Sequence, residues 1–124
     1  MMIGRLEPCS AGGRFWDCSA WRASGSFWAE IYPGWYSGRA VHIHFKISAT
    51  GSSGQSYEFT SQQFFDEAVT TAVHALEPYA AKGTRDVLNS EDNIYGGGGS
   101  RLVLATTSTT EGYAATFNIG LQIA

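Results

Sequence analysis

Tyr32-Pro33-Gly34-Trp35-Tyr36-Ser37-Gly38-Arg39-Ala40-Val41-His42-Ile43-His44-Phe45-Lys46-Ile47 is the most informative run of this chain. Pro33-Gly34 punctuates rather than continues a ladder, and the residues after it alternate in character. A strand over Ala40–Ser48 puts His42, His44 and Lys46 on one face and Ile43, Phe45 and Ile47 on the other. The apolar face goes to a core. Two imidazoles two residues apart on one strand face stand about 7 Å apart at Cα, close enough to give one metal ion two nitrogen ligands. Two histidines on a solvated strand are the alternative, with equal weight from the pair alone. Tyr36, just after the Pro-Gly turn, can fold back over the same face.

The rest of the chain reads as short strands joined by turns. It carries 15 Gly in 124 residues, with 4 Trp, 6 Tyr and 7 Phe, a composition that favours strands over long helices. Further strands are expected at Ser26–Tyr32, Gln55–Gln62, Arg101–Ser108 and Tyr113–Ile123. Gly51-Ser52-Ser53-Gly54 makes a turn, and Thr109-Thr110-Glu111-Gly112 makes the last two strands a hairpin. In Gln63–Leu76, Phe64, Phe65, Ala68, Val69, Ala72, Val73 and Leu76 recur at helical spacing, which predicts one short helix ended by Glu77-Pro78. Tyr79–Ser100 is polar and glycine-rich, an irregular excursion with Gly96 to Gly99 as its most mobile piece. The expected fold is all-β: an antiparallel β-sandwich with one short helix and a long irregular loop. Residues 1–25 form an irregular N-terminal segment and 26–124 the sandwich domain.

Bulk properties exclude several classes. Hydrophobic content of 44% with 15% charged residues is that of a folded chain. A formal net charge of −3 gives no electrostatic reason to hold nucleic acid. No apolar run reaches the length of a membrane span, and Met1 to Gly13 has no basic and apolar signal pattern. The sequence as written therefore reads as cytoplasmic, without membrane contact. Cys9 and Cys18 match neither a redox pair nor a zinc knuckle and read as incidental, with a small-loop disulfide as the alternative. His74 falls on the expected helix and reads as a surface or core histidine. Gly96 to Gly99 lacks the Lys-Ser or Lys-Thr that would complete a phosphate cradle.

Pro33-Gly34-Trp35-Tyr36, Arg39 and His42-Ile43-His44-Phe45 together resemble the signature of intradiol ring-cleavage dioxygenases, the family of protocatechuate and catechol dioxygenases. Thr60-Ser61-Gln62-Gln63-Phe64-Phe65-Asp66, Leu88-Asn89-Ser90-Glu91-Asp92-Asn93-Ile94-Tyr95 and Gly112-Tyr113-Ala114-Ala115-Thr116-Phe117 extend the likeness to the family's small, often secreted branch. It covers roughly Gly25 to Ala124. The resemblance implies non-haem Fe(III), with Tyr36 as the tyrosinate that substrate displaces and His42 and His44 as imidazole ligands. Arg39 is implied to sit against the substrate ring, and Gln62 to stand near the iron. The implied reaction takes a catechol-type diol and dioxygen to a muconate-type diacid.

That family uses a second tyrosinate upstream, and this chain has no tyrosine before Tyr32; Phe15-Trp16-Asp17-Cys18-Ser19-Ala20 is only faintly similar to the strand ahead of it. Three of four protein ligands are therefore expected, with the fourth position taken by water or a partner, or lost by truncation at the N-terminus. A non-catalytic metal-binding module of the same fold is the alternative function. A thinned N-terminal layer also predicts exposed sandwich surface and hence a homo-oligomer.

Overall fold

The computed structural model describes residues 4–7, 20–25, 32–51 and 53–122. The Ser26–Tyr32 strand, apart from Tyr32, lies outside the described residues, as do Cys9, Cys18, most of Phe15–Ala20 and Ile123. Strands dominate: β1 (Gly4–Glu7), β2 (Ala20–Gly25), β3 (His42–Thr50), β4 (Ser56–Phe65), β5 (Val103–Leu104), β6 (Thr106–Thr109), β7 (Gly112–Ala115) and β8 (Gly120–Gln122). They form sheets of order β1-β2-β8 and β3-β4-β5 and a β6-β7 ribbon. The helices are α1 (Glu67–His74) and the single turn α2 (Asn93–Gly96). This is the all-β fold of the sandwich class that the alternation predicts. Pairing is antiparallel in β1/β2, β2/β8 and β6/β7. Phe64 and Phe65 of β4 instead run parallel to Val103 and Leu104 of β5.

Two compact units divide the chain: residues 1–28, 45–61 and 118–124 in one, and 29–44 and 62–117 in the other. The first unit holds β1 and β2, so two strands occur within residues 1–25, which composition reads as irregular. It also contains the Gly51 turn, where Gly51 N–H donates to Gln55 O at 2.8 Å and Gly54 takes φ +81°. Phe45 and Ile47 are buried there while Lys46 and Ser48 are exposed, the period-2 pattern expected of β3.

The second unit packs around Val41, Phe65 and Leu104, with Tyr32, Trp35, Ile43 and Phe117 partly buried against them. Here the helix is shorter than its periodicity suggests. Phe64 and Phe65 belong to β4, because Asp66 ends the strand and caps α1, its carboxylate accepting from Ala68 N–H at 2.8 Å and Val69 N–H at 3.3 Å. The helix stops at His74, ahead of Glu77-Pro78, and Leu76 is left exposed. Arg101–Ser108 is not one strand: a 3₁₀ turn runs to Leu102, and Ala105 separates β5 from β6. The hairpin holds, with Thr109 opposite Gly112.

The excursion from Tyr79 to Ser100 is more ordered than its composition implies. It contains 3₁₀ turns at Ala80–Lys82 and Asn89–Glu91, then α2. Gly99, placed by composition in the most mobile piece, is buried. A Cβ there would stand 2.5 Å from Phe64 Cε2 and 2.8 Å from Ile94 O, so only glycine lets these groups approach.

Candidate metal centre

All the sequence-derived site residues fall in the second unit, in the Pro-Gly loop, the first residues of β3 and the end of β4. Val41 points into the core, so strand alternation turns His42 and His44 to the opposite face. His42 is buried; His44 and Tyr36 are exposed, Tyr36 at 51%. Tyr36 Oη lies 3.2 Å from His42 Nε2, and His44 Nε2 lies 3.1 Å from the same nitrogen. Two ligand-type atoms, one on each exposed neighbour, thus stand against the Nε2 of the buried His42.

The ring of His42 is held in one orientation. Its Nδ1 is 2.7 Å from the Ala40 carbonyl oxygen, which can only accept, so Nδ1 carries the proton and the neutral ring keeps a bare lone pair on Nε2. Burial pushes the His42 pKa down, with the charge of Arg39 and the neighbouring His44 adding to the effect, so the neutral form that can coordinate is favoured. A hydrogen bond from the other ring nitrogen to a carbonyl is how ligating histidines are commonly fixed.

The spacing fits a metal. Two ligands at right angles with bonds of about 2.1 Å stand about 3.0 Å apart, against the 3.1 and 3.2 Å here. The donor set, two imidazole nitrogens and a phenol oxygen, suits iron, and an anionic oxygen favours its trivalent state. Among the described residues no three His, Cys, Asp or Glu side chains gather to hold a metal. The set therefore depends on its tyrosine.

Arg39 and Gln62 are brought together beside this set. Arg39 Nη2 donates to Gln62 Oε1 at 3.1 Å, and the buried Gln62 Nε2 has no hydrogen-bond partner among the described residues. Arg39 Nε donates at 2.7 Å to Asp92 Oδ2, a carboxylate whose side chain is wholly buried. The same oxygen accepts from Ala40 N–H at 3.0 Å, while Oδ1 caps α2 by accepting from Ile94 and Tyr95 N–H at 2.9 and 3.1 Å. Burial alone would raise this carboxyl, but Arg39, Ala40, Tyr95 and Ile94 hold it down to about 2.

Sequence reasoning does not pick out Asp92 as part of the site. Its only local signal is that of an aspartate ahead of a helical turn; its partner is 53 residues away. The same is true of the groups that hold the Tyr36 loop. Trp35 Nε1 donates to Gly83 O at 3.2 Å, the Lys82 ammonium donates to Trp35 O and lies over the Trp35 ring, and Asp86 Oδ2 accepts from Ser37 Oγ at 2.5 Å and Gly38 N–H at 3.3 Å. The Ser37 bond lowers the Asp86 pKa. Gly38, at φ +87°, makes the turn these contacts clasp.

The other tyrosines of this unit are engaged elsewhere. Tyr32 Oη is 2.9 Å from Thr70 Oγ1, and burial pushes its phenol up to about 12 despite that bond. Tyr79 Oη donates to Tyr32 O at 2.6 Å, Tyr95 packs edge-on against Phe64, and Tyr113 against Tyr32. His74 donates from Nε2 to Pro33 O at 3.0 Å and stacks on Tyr79, a packing histidine as its helical position predicts.

No helix among the described residues is long and apolar enough to cross a membrane. No family model matches the chain, and no curated protein does. Among solved structures, the intradiol ring-cleavage dioxygenase from Tetranychus urticae is similar, with 27% identity and a TM-score of 0.59. The match covers 68% of this chain and 41% of that one, so the chain spans less than half the length of its structural neighbour. In fold, over two-thirds of its residues, the chain is similar to an intradiol ring-cleavage dioxygenase.

Proposed function

We propose that this chain carries the iron-binding part of an intradiol-type dioxygenase site, with Tyr36, His42 and His44 as ligands of non-haem Fe(III) and a catechol-type diol and dioxygen as substrates. The observation that carries the reading is that Tyr36 Oη and His44 Nε2 both lie within 3.2 Å of His42 Nε2. Similarity in fold to the Tetranychus urticae intradiol ring-cleavage dioxygenase supports it. Ferric iron bound there would act as a Lewis acid that draws in the two diol oxygens and polarises the ring.

The chain's own groups have separate tasks. Tyr36, half exposed on a loop pinned at its backbone by Lys82 and Asp86, would as a phenolate take a proton onto Oη from an arriving diol and, so neutralised, be free to turn toward water. His42 is held by Ala40 and stays in place. Arg39 offers a permanent positive charge beside the ring, and Gln62 offers the unpaired N–H groups of Nε2. Both are catalytic candidates, since negative charge developing on the ring would be stabilised by fixed donors of this kind.

One observation favours a second reading, a metal-binding module without turnover. The tyrosine closest to the Pro-Gly turn, Tyr32, is bonded to Thr70 and pushed up to about 12, the reverse of what a second tyrosinate needs. Loading with ferric iron separates the two. A wine-red protein that consumes oxygen with catechol or hydroxyquinol and yields a muconate-type acid supports the dioxygenase. Bound iron with no oxygen uptake leaves the module, and protein that takes up no iron refutes both.

A further inference from the structure

One carboxylate links Arg39 to the backbone that orients His42. Asp92 Oδ2 accepts from Arg39 Nε at 2.7 Å and from the N–H of Ala40 at 3.0 Å. The carbonyl of that same Ala40 takes the Nδ1 proton of His42 at 2.7 Å. Asp92 Oδ1 meanwhile holds Ile94 and Tyr95 N–H, anchoring the carboxylate to α2. The Asp92 side chain has zero exposure and Ala40 is buried, while the Arg39 side chain is 23% exposed. Tyr95 in turn packs edge-on against Phe64, whose ring lies 5.9 Å from that of His42. A buried charge with four donors does more than satisfy a helix cap. Capping alone needs one oxygen, and a neutral Asn or Ser supplies that.

We infer that Asp92 is a positioning residue for the centre, a buried carboxylate that holds Arg39 and the backbone N–H of Ala40 together, so that the carbonyl on the next peptide is set where it fixes which nitrogen His42 offers to a metal. Two bonds from one oxygen lock the guanidinium plane and the 39–40 backbone in register. Arg39 then reaches Gln62 with Nη2, and His42 has a single carbonyl to which Nδ1 can donate. The sequence separation explains the design: the excursion carrying Asp92 closes over the strand that carries the ligands. The metal-affinity part of this inference rests on the reading of Tyr36, His42 and His44 as ligands; the tautomer part does not.

Asp92→Asn in the full chain tests it, because the amide nitrogen must oppose either two N–H donors at Arg39 and Ala40 or two at the cap. In metal-free protein at a pH where His42 is neutral, long-range ¹H–¹⁵N spectra read its tautomer. Wild type is expected to show Nδ1 protonated and Nε2 bare; D92N is expected to show a mixture and a shifted Arg39 Nε–H resonance. Cobalt(II) titration should give an affinity about 10 to 100-fold weaker in D92N, the usual effect of losing a group that orients a ligand. A folded D92N with unchanged His42 and Arg39 signals and unchanged cobalt affinity overturns the inference. If wild type takes up no cobalt, the ligand reading fails while the nitrogen shifts still decide the role of Asp92. Should D92N fail to fold, couplings across the hydrogen bonds in wild type decide instead: couplings from Arg39 Nε and Ala40 N to the Asp92 carboxyl carbon uphold it, and their absence refutes it.

Discussion

Replacing Gly99 by alanine adds one methyl group at a point where the structure has no room. The new carbon would stand 2.5 Å from Phe64 Cε2, 2.8 Å from Ile94 O and 3.2 Å from Ile94 C, against about 3.5 to 4.0 Å for carbon atoms in contact. Relief by motion of Phe64 is blocked, since its ring is 0% exposed and packed between Tyr95 and His42. Relief on the other side means moving the α2 backbone, whose Ile94 and Tyr95 N–H groups are tied to Asp92. The cost should therefore reach the upper part of the range for overpacking, about 3 kcal/mol. A domain of this size loses roughly 4 °C in melting temperature per kcal/mol, so G99A should melt about 12 °C lower. Gly96→Ala is the control. Nothing lies within 4 Å of a Cβ there and the residue is helical, so it should be neutral or stabilising by up to about 1 kcal/mol. Thermal unfolding followed by circular dichroism compares the two. A G99A protein that melts with wild type would show that Gly99 and Phe64 are not in the close contact described.

Tyr36→Phe should leave the melting temperature within a few degrees, because the side chain is half exposed, yet weaken ferric iron binding and abolish any tyrosinate charge-transfer band; a band of unchanged intensity would assign it to another residue. Acid stability should report Asp92. Its folded pKa, about 2, lies below the ordinary 3.8, so its stabilisation is present above about pH 4 and is lost as pH falls toward 2. Urea midpoints of wild type and D92N should accordingly converge between pH 5 and pH 2.5, and a constant gap would refute this. Tyr32 works with the opposite sign: held at about 12 in the fold against 10.0 ordinarily, it favours the folded state below pH 10 and loses that contribution as pH rises toward 12. Tyr32→Phe should flatten the alkaline decline in stability between pH 10 and 12, read by the same urea midpoints.

The sequence by itself determined the strand that matters. Alternation over His42 to Ile47 carries its own physical reason, since successive side chains must leave opposite faces, and burial of Phe45 and Ile47 beside exposed His44 and Lys46 follows from it. Tyr36, His42 and His44 lie within eight residues of one another, so their meeting is a local property and was legible. The Thr109 to Gly112 hairpin is local in the same way. Helical spacing misled at Phe64 and Phe65, because a parallel ladder to Val103 and Leu104, some 39 residues away, outweighs periodicity there. Composition likewise misjudged Gly99, which is glycine for lack of space and not for freedom. What only tertiary structure decided is everything that joins the Tyr79 to Ser100 excursion to the Trp35–Ala40 loop: Asp92 on Arg39 and Ala40, Asp86 on the Ser37 turn, Lys82 on Trp35. These contacts span 47 to 53 residues, and a carboxylate's partner at that distance is set by how the chain returns on itself, which no local pattern encodes.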